Sequence, residues 1–161
     1  MNRAKLSKAV TVLQPYAELF YRLRRFVENR TWSTRFRGWL AIHAGKSKKL
    51  RGDFRYYGCD VEAVTYGAIV AVGYLGVCVS ITDHDDPMGG LIAQDVERWG
   101  WLRDHEHVEG PHCWVFDAIV PLRNPVPCRG AQGLWDLDRD TVAAVRAQAL
   151  PMVRAREHFA A

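Results

Sequence analysis

Fourteen consecutive residues, AIVAVGYLGVCVSI from Ala68 to Ile81, contain one serine and no charged side chain. Such a run must be buried on both faces. It is shorter than the roughly 20 residues needed to cross a bilayer, and its β-branched residues and two glycines favour a central strand over a helix. Gly76 within it is expected to mark a bulge. A buried strand needs neighbours, and the flanking sequence supplies them. KAVTVLQ alternates apolar and polar positions as a strand does, and Pro15 then opens a helical pattern, Tyr16, Leu19, Phe20 and Leu23, to about Arg25. VENRTW reads as a strand with Glu28, Arg30 and Trp32 on one face. GWLAIHA reads as another, with Trp39, Ala41 and His43 on one face, and the basic STRFRG turn joins the two.

Farther along, SKKLRGDFRYYG is polar and suits a helix or loop, and residues 82–110 form an acidic excursion with one short helix expected. CWVFDAIVPL alternates again. NPVPCRGAQGLW is extended because its prolines forbid a helix. A last helix starts near Arg139 and is kinked or ended by Pro151. Short strands with inserted helices, lacking regular strand–helix alternation, predict an α+β, β-rich fold: a small antiparallel or mixed barrel with flanking helices and a C-terminal helix. At 161 residues one core is expected. The domain spans 1–137, and a helical extension, 138–161, packs on it.

Charge is distributed unevenly. Residues 1–55 hold 14 Lys and Arg against 3 Asp and Glu, a net +11, whereas residues 56–161 hold 8 against 15, a net −7. A basic third of this kind suits a polyanion, because lysines and arginines displace the counterions condensed on phosphates. The start, MNRAKLSKAV, lacks an apolar leader segment, and the four cysteines, Cys59, Cys78, Cys113 and Cys128, lie far apart without a CxxC pair. A cytoplasmic protein with reduced thiols is expected, without a membrane segment.

Several motifs are weighed and set aside. Gly45-Lys46-Ser47 resembles a phosphate loop, but the glycine required five residues earlier is Leu40 and the preceding residues are themselves a strand. The DHDD and DHEH stretches, with His84, His105 and His107, read as an exposed acidic surface, so neither a metal nor a cofactor is expected. No Ser-His-Asp order or HExxH motif is present. What remains is a basic, aromatic edge. Trp32 or Trp39 would stack on a base, and Glu28 or Asn29 would read its polar edge. Arg30, Arg35, Arg37 and Lys46, with Lys48 and Lys49, would hold phosphates. His43 reads either as a half-buried strand histidine or as a site residue beside Trp39.

The order QPYAELF, VENRTW, RGWLAIHAGKS, GAIVAVGYLGV and CWVFDAIVPLRNPVPCRGAQGLW resembles the ASCH domain, a branch of the PUA-like superfamily, from about Thr11 to Leu137. The resemblance implies a small PUA-like β-barrel, or pseudobarrel, whose cleft holds RNA or a nucleobase. The family pattern, similar to Gly-x-Lys-x-x-Glu-x-Arg, falls on Leu23 to Arg30: Glu28 and Arg30 match, while Leu23 replaces the glycine and Arg25 the lysine. It carries over Glu28, Asn29 and Arg30 as site residues and, more loosely, Arg25, Trp32, His43 and the Arg129-Gly130 turn, with Ser47 beside Lys46. One branch resembles an amidohydrolase of N4-acetylcytidine using lysine, threonine and glutamate. Here Arg25, Glu28 and Tyr74 fall at those positions, and a permanently protonated arginine is a poor base. Three readings remain. The first is a module binding RNA, single-stranded nucleic acid or a modified nucleoside. The second is a nucleotide or RNA hydrolase with Glu28 as acid/base and Arg25 or Lys46 stabilising negative charge. The third is a protein-interaction adaptor.

Overall fold

The computed structural model describes residues 6–22, 26–81 and 87–159. Six strands are hydrogen-bonded in the order β2-β5-β4-β3-β1-β6. They are β1 (Lys8–Val12), β2 (Val27–Arg30), β3 (Gly38–Ala44), β4 (Ala68–Ser80), β5 (His112–Pro127) and β6 (Leu134–Asp136). The helices are α1 (Tyr16–Arg22), α2 (Arg51–Tyr56), α3 (Pro87–Gln94), α4 (Val96–Trp99) and α5 (Arg139–Phe159), with a 3-10 turn at Gly100–Leu102. The sheet is mixed: β1 runs parallel to β3 and antiparallel to β6, and β2 runs antiparallel to β5. This is the expected β-rich α+β class. Among the described residues, no helix is long and apolar enough to cross a membrane.

The chain forms two compact units interleaved in sequence. The first comprises residues 1–25, 38–74 and 118–161, and the second 26–37 and 75–117. In the first unit Ala9, Ala41, Ile69, Val72, Val120 and Val145 build the main core, with Trp39 and Trp135 packed against it. Val145 and Ala149 come from α5, so the C-terminal helix is part of this core. A smaller cluster of Leu19, Phe54, Cys59 and Val64 joins α1 to α2. The core of the second unit is Val27, Val79, Ile92, Trp99, Leu102, Cys113 and Val115.

Local chemistry sets the helix starts. Gln14 is fully buried; its Oε1 accepts from the Glu18 N–H (2.9 Å) and caps α1, while its Nε2 donates to the Thr65 carbonyl (2.6 Å). Asp138 caps α5, accepting from Thr141 N–H (2.8 Å) and Oγ1 (2.6 Å), and these bonds hold its carboxyl below the ordinary range.

Three local expectations are corrected. Strand β2 stops at Arg30, so Trp32 lies beyond the ladder and its position does not follow from strand alternation. The described part of the excursion, 87–110, holds two helices and a 3-10 turn in place of one helix. β5 continues through Pro121, Pro125 and Pro127, extended as expected for that segment. Near its end the Gln148 side chain occupies both backbone groups of Asn124, accepting from its N–H and donating to its carbonyl, each at 2.9 Å. A side chain thus stands where a strand partner would, and prolines are tolerated at such a sheet edge. Helix α5 likewise runs past Pro151. The hydrogen bond proline forfeits there is to the carbonyl of Ala147, an exposed residue that water can reach.

Candidate nucleic-acid interface

β1 and β3 are in parallel register, with Thr11 opposite His43. Just past β3, Gly45 donates its N–H to the Val12 carbonyl (2.8 Å), which fixes the turn that carries Lys46. Lys46 lies against Gly67, which has φ +65°. A Cβ at Gly67 would come within 2.6 Å of Lys46 Cε, so the lysine stem needs glycine there. Gly67 also accepts from the Cys128 N–H (3.1 Å), tying in the segment that bears Arg129. Thr11 Oγ1 donates to the Ala131 carbonyl (2.9 Å). The result is a cavity of about 430 Å³ lined by Thr11, His43, Lys46, Arg129, Gly130 and Gln132, together with Gly45 and Ala131. No acidic side chain lines it, and among the described residues neither Lys46 nor Arg129 forms an ion pair.

His43 serves this pocket from below. It is 2% exposed, its Nε2 lies 3.3 Å from the Cys128 carbonyl and its ring meets Trp135 edge-on. Nδ1 is buried with no hydrogen-bond partner among the described residues. A Cβ at Gly130 would collide with this ring and with Thr11 Oγ1. Burial, aided by nearby Lys46 and opposed by the Cys128 carbonyl, pushes the histidine below its ordinary pKa of 6.5. Neutral imidazole therefore supports the turn, and the pocket's charge comes from Lys46 and Arg129.

The remaining expected site residues divide as follows. Trp39 is half-buried, packed on the first unit's core and edge-on to Tyr74 (5.5 Å). Ser47 Oγ accepts from the Lys49 N–H at 3.4 Å. Lys48 is paired with Glu62 (2.7 Å). In the second unit, Glu28 is 7% exposed and its Oε1 lies 3.3 Å from Arg30 Nε. Arg30 also faces the Trp114 ring (5.9 Å), and Trp32 meets that ring edge-on (4.7 Å). Arg35 and Arg37 are exposed, the latter donating to the Thr34 and Phe36 carbonyls. Asn29 has an internal task. Its Nδ2 donates to the His107 carbonyl (2.8 Å), and its Oδ1 accepts from the Glu109 and Gly110 N–H groups and the Cys113 thiol. Leu23, Arg24 and Arg25, and His84 with its acidic neighbours, lie outside the described residues. Among the described residues no group of His, Cys, Asp or Glu is arranged to hold a metal ion.

Sequence reasoning missed Thr11 and Gln132, which reach the pocket only through strand pairing and a distant turn. It also missed a second cavity, of about 650 Å³, lined by Phe26, Arg98, Trp99, Trp101, His105, Phe116 and Asp117 in the second unit.

This is the fold of ASCH domain proteins. A crystal structure of a tyrosine-to-phenylalanine variant of the ASCH protein of Zymomonas mobilis is similar over 87% of this chain and 96% of that one, with TM-score 0.50 and 12% identity. The structure titled as ASCH from the same organism matches over 87% and 93%, with TM-score 0.46 and 12% identity. No protein-family model matches the sequence, and no curated protein matches it.

Proposed function

We propose that the protein is a nucleic-acid-binding module, with single-stranded RNA as its ligand, that seats a backbone phosphate in the pocket of Lys46 and Arg129. The observation that supports this reading is a concave, acid-free site with two cations that have no ion-pair partner among the described residues. Two other lysines, by contrast, are matched with acids, Lys8 with Asp136 and Lys48 with Glu62. Arg35 and Arg37 in the second unit are further phosphate contacts, and Trp32 beside them is a stacking residue for the strand. Asn29 is left out, because its amide holds the 107–110 segment. An acid/base role for Glu28 is also left out, because its carboxylate is held by Arg30.

Binding to a single-stranded RNA should weaken as salt rises, and the paired change Lys46→Glu with Arg129→Glu should cost on the order of 100-fold at low salt. It should also make the slope of log K against log salt shallower by about 0.7, the share of one phosphate contact on a single strand. A double variant that binds RNA as wild type does, with the same slope, would remove the pocket from the interface. Equal affinity for DNA of the same sequence would reduce the proposal to a general single-strand binder.

A further inference from the structure

The second unit's cavity shares no lining residue with the basic pocket, and its chemistry differs. Five of its seven lining residues are aromatic or imidazole rings: Phe26, Trp99, Trp101, His105 and Phe116. The other two, Arg98 and Asp117, form an ion pair at 2.8 Å between Nη2 and Oδ2. We propose that this cavity is a guanine-binding site, with Trp101 as the stacking surface and the Arg98–Asp117 pair as the reader of the base edge.

The aromatic wall is built in advance. Trp101 is 40% exposed yet fixed: its Nε1 donates to the Arg98 carbonyl (2.9 Å), Phe26 packs edge-on at 6.2 Å and His105 at 5.0 Å. Edge contacts of this type hold a ring while leaving a face for another planar group. The Arg98 guanidinium lies 4.3 Å over the Trp99 ring, and the backbone N–H of Arg98 donates to the Asp95 side chain that caps α4. Asp117 stands where a side chain at Gly76 would collide with its carboxylate, so the glycine in β4 makes room for the acid. That contact, and no demonstrated bulge, is the structural reason for Gly76.

The polar pair selects the base. Asp117 Oδ1 accepts no hydrogen bond among the described residues, and Arg98 uses one of its side-chain N–H groups on Oδ2. A carboxylate only accepts and a guanidinium only donates. Guanine alone presents two acceptors, O6 and N7, for an arginine and two donors, N1–H and N2–H₂, for one carboxylate. Adenine's alternating amine and ring nitrogen suit an amide, and uracil offers a single donor. A volume of about 650 Å³ admits a nucleoside. A free nucleotide and a strand both carry this base, and the titrations below separate them.

Guanosine, which lacks phosphate, separates this site from the basic pocket. Titrated into the full chain and followed by tryptophan fluorescence, guanosine should bind at least about tenfold tighter than adenosine, cytidine or uridine. Trp101→Ala should weaken it roughly tenfold, whereas Trp101→Phe retains most of the affinity. Asp117→Asn should bring guanosine and adenosine within about threefold of each other, with circular dichroism reporting the fold of each variant. Equal binding of all four nucleosides by the wild type would overturn the proposal. So would guanosine affinity unchanged in folded Trp101→Ala and Asp117→Asn, or lost in the Lys46→Glu, Arg129→Glu double variant. A uridine hexamer with one guanine that binds tighter than both guanosine and an all-uridine hexamer identifies a strand as the source; a guanine that adds nothing to the hexamer while guanosine binds identifies the free nucleoside. If the guanosine preference fails, salt-dependent RNA binding through Lys46 and Arg129 is tested separately and can still stand.

Discussion

The two cavities use positive charge in opposite ways. In the first unit Lys46 and Arg129 face a pocket without an acid, and the supporting histidine is kept neutral by burial. In the second unit Arg98 is bound to Asp117 and laid over Trp99. A cation without a partner attracts any phosphate, whereas a cation held beside a carboxylate presents a donor and an acceptor and can discriminate between bases. The means of construction differ as well. The basic pocket is shaped by absent side chains, at Gly67 and Gly130, while the second unit relies on polar clamps, Asn29 on the 107–110 segment and Asp95 on α4.

The largest expected effect comes from removing a clamp. Asn29→Ala deletes four hydrogen bonds at once and strands the N–H groups of Glu109 and Gly110, so it should destabilise the protein by about 2–3 kcal/mol. Chemical denaturation gives the loss, and hydrogen exchange should place it at residues 107–113. Full protection there would show that the clamp is dispensable and the contrast between the units misdrawn.

A smaller effect follows from filling space in the first unit. Gly67→Ala places a side chain at φ +65° and against the Lys46 stem, which should cost about 1–2 kcal/mol. RNA affinity should fall several-fold as the lysine is displaced, a larger fractional loss than the stability change alone produces, because the folded population remains dominant. If the variant unfolds more easily yet binds RNA as before, Lys46 does not need its glycine bed.

The smallest effect is one of pH. His43 has a folded-state pKa below its ordinary 6.5, so the unfolded chain takes up the proton first. Its contribution to stability is complete above about pH 6.5 and declines as pH falls from there toward the lowered value. Melting temperature measured from pH 7.5 to 5 should decline less steeply in His43→Gln than in wild type. Identical slopes would mean that the buried imidazole is not the group titrating.

Much of the scaffold was legible from pattern. The run 68–81 is a strand because no other arrangement buries so many uncharged residues in that length, and β4 spans Ala68–Ser80. KAVTV and GWLAIHA form β1 and β3 as their alternation predicts. Proline predicted the extended segment at the end of β5 but not the length of α5, because its local cost depends on what else can satisfy the backbone: Gln148 does so at Asn124, and Ala147 is open to solvent. Trp32 misled for a related reason, since β2 ends where its partner's pairing ends, with Arg30 opposite His112.

The sequence by itself determined the strand segments, the basic amino-terminal third and Lys46 as a candidate phosphate contact, because periodicity and charge are properties of neighbours along the chain; Arg129 entered only through the family resemblance. Tertiary structure alone decided that Thr11 joins His43 across a parallel ladder, that Asn29 clamps a loop 78 residues away, and that Asp117 and Arg98 meet beside Trp101. Those pairings are set by strand register and packing, which bring together residues whose separation along the chain leaves no periodic trace.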